Sequence, residues 1–86
     1  MAGSFEGRTV VVLGSATGIG RASALWFAGR RAKVYAGDIE LISETASAFR
    51  EAGIGFFKCD ARSGDQVRDL IQLAVQATGR LDVLVY

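Results

Sequence analysis

The stretch Val10-Val11-Val12-Leu13 runs straight into Gly14-Ser15-Ala16-Thr17-Gly18-Ile19-Gly20 and then into a helical pattern, and this order constrains the chain more than any other feature. A β-branched run of this kind reads as a buried strand. Three glycines on one short turn let the main chain approach a ligand where any Cβ would collide. The helix that follows aims its unpaired N–H groups and the positive end of its dipole, equivalent to roughly half a charge, at an anion on the turn. A diphosphate has the shape and charge for that place.

The glycine spacing is Gly-x-x-x-Gly-x-Gly, which differs from the Gly-x-Gly-x-x-Gly of the older dinucleotide fingerprint, so context carries the argument. A second strand, Lys33-Val34-Tyr35-Ala36-Gly37, follows the first helix. Asp38 closes that strand about 20 residues beyond the turn, where a ribose-binding carboxylate is expected, and Ile39 stands beside it. No Gly-Lys-Ser/Thr follows the turn, which argues against an ATP-binding P-loop. The plain alternative, a tight turn and a solvated acid, requires strand, spacing and carboxylate to coincide.

At 86 residues the chain makes one domain, residues 1–86, with a thin core and marginal stability. Its formal charge is +1 and it carries no basic block, so nucleic acid is not an expected partner. Cys59 is the only cysteine, and Met1 to Gly7 has no apolar signal-peptide core, so a reducing, cytoplasmic setting is expected. No window is long and apolar enough to cross a bilayer, and no Cys/His cluster suggests a metal. With no histidine present, the commonest general base is missing and no nucleophile-base-acid set can be assembled.

Strands and helices alternate strictly, the signature of βαβ units on a parallel sheet, a Rossmann-like doubly wound α/β half-fold. Strands are expected at Thr9 to Leu13, Lys33 to Gly37, Gly55 to Cys59 and Leu81 to Tyr86, with helices at Ile19 to Gly29, Glu40 to Ala52 and Gly64 to Thr78. Right-handed crossovers give the order 3-2-1-4, with the topological switch between strands 1 and 4 beside the glycine turn. Strand 4 then lies at an edge, where its open backbone invites pairing with another chain or a homo-oligomer. In the first helix Ile19, Ala24, Phe27 and Ala28 form the expected buried face, and Trp26 reads as a flank contact. In the third, Ser63 and Gln66 form a capping box, Val67, Leu70, Ile71, Ala74 and Ala77 make the apolar stripe, and Gly79 ends it. Glu40, Glu44 and Glu51 read as the solvated face of the second helix, and Asp82 as a structural residue at a strand start.

Several motifs in the right order make the chain resemble the N-terminal half of a short-chain dehydrogenase/reductase. These are the opening strand Gly7-Arg8-Thr9-Val10-Val11-Val12, the turn Gly14 to Gly20, Cys59-Asp60 at the end of strand 3, and Gly79-Arg80-Leu81-Asp82-Val83-Leu84-Val85. The resemblance implies NAD(H) binding and, in an intact parent, hydride transfer between NAD and an alcohol or carbonyl substrate. It implies that Gly14, Gly18 and Gly20 admit the cofactor, that Ser15, Thr17 and Ile19 lie against its phosphate and ribose, and that Asp60 with Ala61 meets the adenine. Asp60 as a cap of its own loop is the competing reading.

Two positions depart from the family pattern. Leu13 stands where the family has a Thr whose hydroxyl ties the turn to strand 4, which implies a looser turn. Arg31 stands where a glycine ends the first helix, and a left-handed backbone there costs roughly 1 to 2 kcal/mol unless Gly29 takes over. Tyr86 falls on the first Asn of the family's Asn-Asn-Ala-Gly segment, and no Tyr-x-x-x-Lys occurs, so no residue of this sequence is assigned a catalytic role and the 86 residues alone are expected to be inactive. The rivals are a non-catalytic nucleotide-binding or scaffold module and an assembly fragment that completes another chain's sheet.

Asp38 favours NAD over NADP, since a 2′-phosphate about 4 Å away adds roughly 4 kcal/mol of repulsion per unit charge at an effective dielectric of 20. Arg21 is expected along the exposed side of the first helix, and Arg30-Arg31 at the far end of the strands, in solubilising roles. Cys59 reads as a small buried hydrophobe.

Overall fold

Alternation along β1 (Thr9–Leu13) decides the layering, because Val10 and Val12 pack on one face of the sheet and Val11 and Leu13 on the other. A strand that hides both faces carries no polar alternation, which is why its sequence is an unbroken apolar run. The computed structural model describes residues 4–86. After β1 come α1 (Gly18–Gly29), β2 (Lys33–Asp38), α2 (Ser43–Ala52), β3 (Gly55–Lys58), α3 (Gly64–Thr78) and β4 (Val83–Val85). All pairings are parallel and the order is β3-β2-β1-β4, as the alternation of elements predicts. Ala24 of α1 and Phe49 of α2 pack with Val10, Val12, Val34, Ala36 and Ile54, while Leu70 and Ala74 of α3 pack with Val11, Leu13, Tyr35 and Cys59.

Two helix faces differ from expectation. Ile19 is 84% exposed rather than buried. It lies five residues before Ala24, roughly 140° round the helix, whereas Gly20, four before, lies on the sheet side. Ala77 is exposed as well, because Thr78 is the residue that meets the sheet: the Thr9 hydroxyl donates to Thr78 Oγ1 at 2.8 Å, and Thr78 Oγ1 donates to the Ala74 carbonyl. Trp26 is a flank residue, edge-on to Phe5 and Phe27 with ring centroids 5.7 and 5.1 Å away and the Arg30 guanidinium carbon 3.7 Å from its ring centre.

The end of α1 is a Schellman motif with an arginine at its left-handed position. Ala32 N–H donates to Phe27 O and Arg31 N–H to Ala28 O, and Arg31 has φ +71°. Gly29 does not take over, since it remains inside the helix. Gly53 and Gly79 end α2 and α3 with φ of +74° and +84°.

α2 begins at Ser43, not Glu40, because residues 39–42 form a connection in which Leu41 drops into the α1/α2 core and Ile42 is extended. Glu40 therefore sits outside the helix, although Glu40, Glu44 and Glu51 are all exposed as expected. The capping box of α3 is half made: Gln66 N–H donates to Ser63 Oγ at 3.3 Å, but Gln66 Oε1 accepts from Asp60 N–H instead of reaching back to Ser63.

β4 is shorter than the expected Leu81 to Tyr86, because each flank has another task. Leu81 packs under α3, and Tyr86 leaves the sheet to donate its hydroxyl to the Ala61 carbonyl at 3.2 Å. Asp82 folds onto the start of β1, accepting from Thr9 N–H at 2.7 Å, Arg80 Nε at 2.8 Å and Arg8 Nη1 at 3.4 Å. The Arg80 guanidinium and the Thr9 amide hold its carboxyl at about 2.

Arg31→Gly should relieve the left-handed strain and raise stability by about 1 kcal/mol, which in a chain of this size is roughly 4 to 8 °C in Tm. Arg31→Ala keeps a Cβ and should give no such gain; equal thermal melts for both variants would show that strain is not stored there. Acid stability should report Asp82. Its pKa is lowered from an ordinary 3.8, so its contribution is complete above that pH and drains as pH falls toward 2. Melts recorded from pH 4 to pH 2 should show a shallower loss of Tm for Asp82→Asn than for the parent, and parallel curves would exclude the network from acid stability.

Candidate functional site

The turn between β1 and α1 closes on itself so tightly that only glycine fits at its far end. A Cβ on Gly20 would fall on the Gly14 carbonyl oxygen and 3.1 Å from Ser15 Cα, while Gly14 and Gly18 have φ of +70° and +60°. The three glycines therefore do different work. Gly14 and Gly18 supply left-handed backbone, and Gly20 lets α1 sit directly on the turn.

Neighbouring strands pin this turn from below. Gly14 N–H and Ser15 N–H both donate to the Gly37 carbonyl, at 2.9 and 3.2 Å, and the buried Ser15 hydroxyl donates to the same oxygen at 3.2 Å. Ser15 thus uses its polar hydrogens inside the protein, so its contribution to an adjacent ligand is the shape of the turn. A side chain at Gly37 would crowd the α3 face, since a Cβ there would lie 2.7 Å from Leu70 Cδ2 and 3.1 Å from Cys59 Cβ and would require Leu70 to shift. The next residue is held through both of its flanking peptides: Ala16 N–H donates to Asp38 Oδ2 at 2.9 Å, and the Ala16 carbonyl accepts from the Thr45 hydroxyl at 2.8 Å.

Past Ala16 the donors turn outward. Among the described residues the N–H groups of Thr17, Gly18, Ile19 and Gly20 find no acceptor, and the first internal helix bond runs from Arg21 N–H to Thr17 O. Thr17 is extended and exposed and makes no side-chain cap, and the first turn of α1 contains no acidic residue. The result is a helix N-terminus whose four leading donors find no acceptor and whose first turn carries no acidic residue, an arrangement suited to an anion.

Asp38 borders this turn. Its Oδ1 accepts from Ile39 N–H at 2.7 Å and its Oδ2 from Ala16 N–H, leaving each oxygen with further acceptor capacity toward solvent. Ile39 is 56% exposed beside it. Asp60 and Ala61 stand at the end of β3. Asp60 Oδ1 accepts from Arg62 N–H at 2.9 Å and Nε at 3.0 Å, and the Arg62 guanidinium, then its amide, hold this carboxyl at about 2. Asp60 therefore caps its own loop while remaining at the same end of the sheet. Ala61, Leu13, Gly64, Val67, Leu84 and Tyr86 line an open apolar pocket of about 250 Å³.

The structure alters three expectations about side chains. Arg21 is half-buried and reaches across to α2, with Nη1 3.5 Å from Thr45 Oγ1, instead of lying along the exposed side of α1. Leu13, which lacks the family's hydroxyl, packs beneath α3, and the turn is tied through Gly37, Asp38 and Thr45. Cys59 is buried, and burial, with Asp60 and Asp69 adding, pushes its thiol up, away from the reactive thiolate. Gly37 and Thr45 were missed at the level of sequence. Gly37 offered a weak signal as a glycine directly before Asp38, whereas a threonine inside an amphipathic helix offered none.

No group of three metal-ligating side chains occurs among the described residues, and no helix there is long and apolar enough to cross a membrane. Sequence comparison matches the short chain dehydrogenase family over residues 8–86. Short-chain dehydrogenase reductase 3c of Arabidopsis thaliana is 35% identical over 81 residues, covering 92% of this chain and 31% of that protein. The 3-oxoacyl-(acyl-carrier-protein) reductase of Thermotoga maritima is 35% identical over 85 residues, covering 93% of this chain and 34% of that protein. A short chain dehydrogenase/reductase of Burkholderia phymatum, solved in complex with NAD, superposes with a TM-score of 0.82 at 29% identity, covering 94% of this chain and 30% of that one. The chain spans about a third of the length of the curated relatives it matches. With a parallel 3-2-1-4 sheet, a self-closing glycine turn and this match along nearly all its residues, the chain belongs to the short-chain dehydrogenase/reductase family.

Proposed function

We propose that this chain forms the NAD-binding part of an oxidoreductase that moves hydride between NAD and an alcohol or carbonyl substrate. The observation that carries this reading is the set of four outward N–H donors on Thr17 to Gly20, held open by a turn that a Cβ on Gly20 would fill. Gly14, Gly18 and Gly20 would admit the diphosphate, the amides from Thr17 to Gly20 would bind its oxygens, and Ser15 would hold the turn's shape. Asp38 would accept from the adenosine ribose hydroxyls, with Ile39 against the sugar, and Asp60 and Ala61 would border the adenine beside the apolar pocket. The residues present suit the adenosine diphosphate end of the cofactor. NAD, when bound, supplies the hydride donor or acceptor.

In this reading the chain's own residues bind and orient, and none is assigned a proton transfer. Asp38 sets the choice of NAD over NADP, since it would face the 2′-phosphate of NADP across a few ångströms. The similar Burkholderia phymatum protein was solved in complex with NAD, which supports NAD as a ligand for this fold. Arg30 and Arg31 lie before β2 and Asp38 at its other end, so neither arginine offsets the carboxylate. The half-exposed Leu84 on the open edge of β4 supports a companion proposal, that β4 pairs with a further strand or a second chain.

Calorimetric titration with NAD and with ADP-ribose should give saturable binding of both, because the cradle addresses the half they share; absence of heat with either ligand would remove the proposal. Asp38→Ala should narrow the gap between NADP and NAD dissociation constants by about tenfold or more. NAD affinity should fall in the same variant, because the Ala16 amide loses its acceptor. An unchanged ratio of the two constants would take Asp38 out of cofactor selection.

A further inference from the structure

Thr45 lies in the first turns of α2, remote in sequence from the glycine turn and outside every motif discussed above. Its side chain is fully buried, its hydroxyl donates to the Ala16 carbonyl at 2.8 Å, and its oxygen faces Arg21 Nη1 at 3.5 Å. One hydroxyl therefore joins the turn, α1 and α2.

The Ala16 peptide is where the turn changes direction. Donors before and at it, on Gly14, Ser15 and Ala16, are consumed inside the protein; those after it, on Thr17 to Gly20, are open. Asp38 holds the N–H of Ala16, and Thr45 holds its C=O. Holding both flanking dipoles fixes the rotation of the backbone at Ala16, and this rotation decides where the next four N–H groups point. Ala16 is only 5% exposed, so water is a poor substitute for either partner.

We propose that Thr45 is a positioning residue for the cofactor diphosphate: acting through the Ala16 carbonyl, it preorganises the outward amides of Thr17 to Gly20. This rests on the reading of the turn as a diphosphate site. Without the hydroxyl, the buried Ala16 carbonyl loses its donor and the turn must be reordered each time ligand binds, which lowers affinity. The role is distinct from holding α2 in place, which Phe49 does from the core.

The test compares Thr45→Val, which keeps the shape and removes the hydroxyl, with Thr45→Ser, which restores it. Calorimetry with ADP-ribose should show roughly tenfold weaker binding for Thr45→Val and binding within about twofold of the parent for Thr45→Ser. Equal affinity of Thr45→Val and the parent, or an equal loss in both variants, would overturn the proposal. A measurement on the unliganded parent keeps it falsifiable should Thr45→Val not fold. Nuclear magnetic resonance should then detect a slowly exchanging Thr45 hydroxyl proton coupled to the Ala16 carbonyl, and its absence overturns the clamp. Failure of the parent to bind ADP-ribose would instead strike the diphosphate reading, while the same spectra, with shifts at the Thr17 to Gly20 amides in Thr45→Val that Thr45→Ser does not show, would still report the clamp separately.

Discussion

The helix α1 can start where it does only because Gly20 rests against the Gly14 carbonyl with nothing between them. That approach brings the helix end over the carboxyl end of β1, and the direction of the open donors follows from it. A methyl group in the gap would lift α1 off the sheet, and Ala24, which packs on Val10 and Val12 one turn later, would lose its seat. The open donors of the turn and the core of the α1/α2 face are thus two consequences of one steric fit.

Attachment of the turn to the rest of the fold runs through polar groups of β2 and α2. The Gly37 carbonyl gathers three donors, Asp38 takes the Ala16 amide, and Thr45 takes the Ala16 carbonyl. No buried side-chain nitrogen or oxygen among the described residues lacks a partner. In a thin sheet such satisfaction matters, because one buried polar group left alone would offset a good part of a marginal stability. The opposite end of the sheet uses charge instead, with Asp82 binding the first amide of β1 between two arginines. The glycine turn is therefore held by the Gly37 carbonyl, the Asp38 carboxylate and the Thr45 hydroxyl, and the far end by an aspartate set between two arginines.

Much of this was legible in the residues. The two-sided burial of β1 was visible as an apolar run, the αL end of α3 as Gly79, and the sheet order as strict alternation of elements. The left-handed position after α1 was legible too, although an arginine occupies it. The sequence misleads where one local signal competes with another. Ile19 looked like core because it is apolar and near a helix start, yet the glycine beside it faces the sheet. Glu40 looked like the start of α2, but Asp38 and Leu41 engage the connection first. Arg21 looked solvated, since no sequence rule pairs it with a threonine 24 residues away.

By itself the sequence determined what is local or periodic: the order of strands and helices, the glycines required by left-handed or side-chain-free backbone, and an acid placed at the end of β2. These follow from steric limits on single residues and from repeat patterns of two and 3.6, which act over a few positions. Tertiary structure alone decided which polar groups face inward. The inward aim of the Ser15 hydroxyl, the grip of Thr45 on Ala16 and the bond of Asp38 to the turn join residues 22 to 29 positions apart. Such bonds depend on how closely strand and helix come together, a distance set by packing across the whole sheet and written in no short stretch of chain.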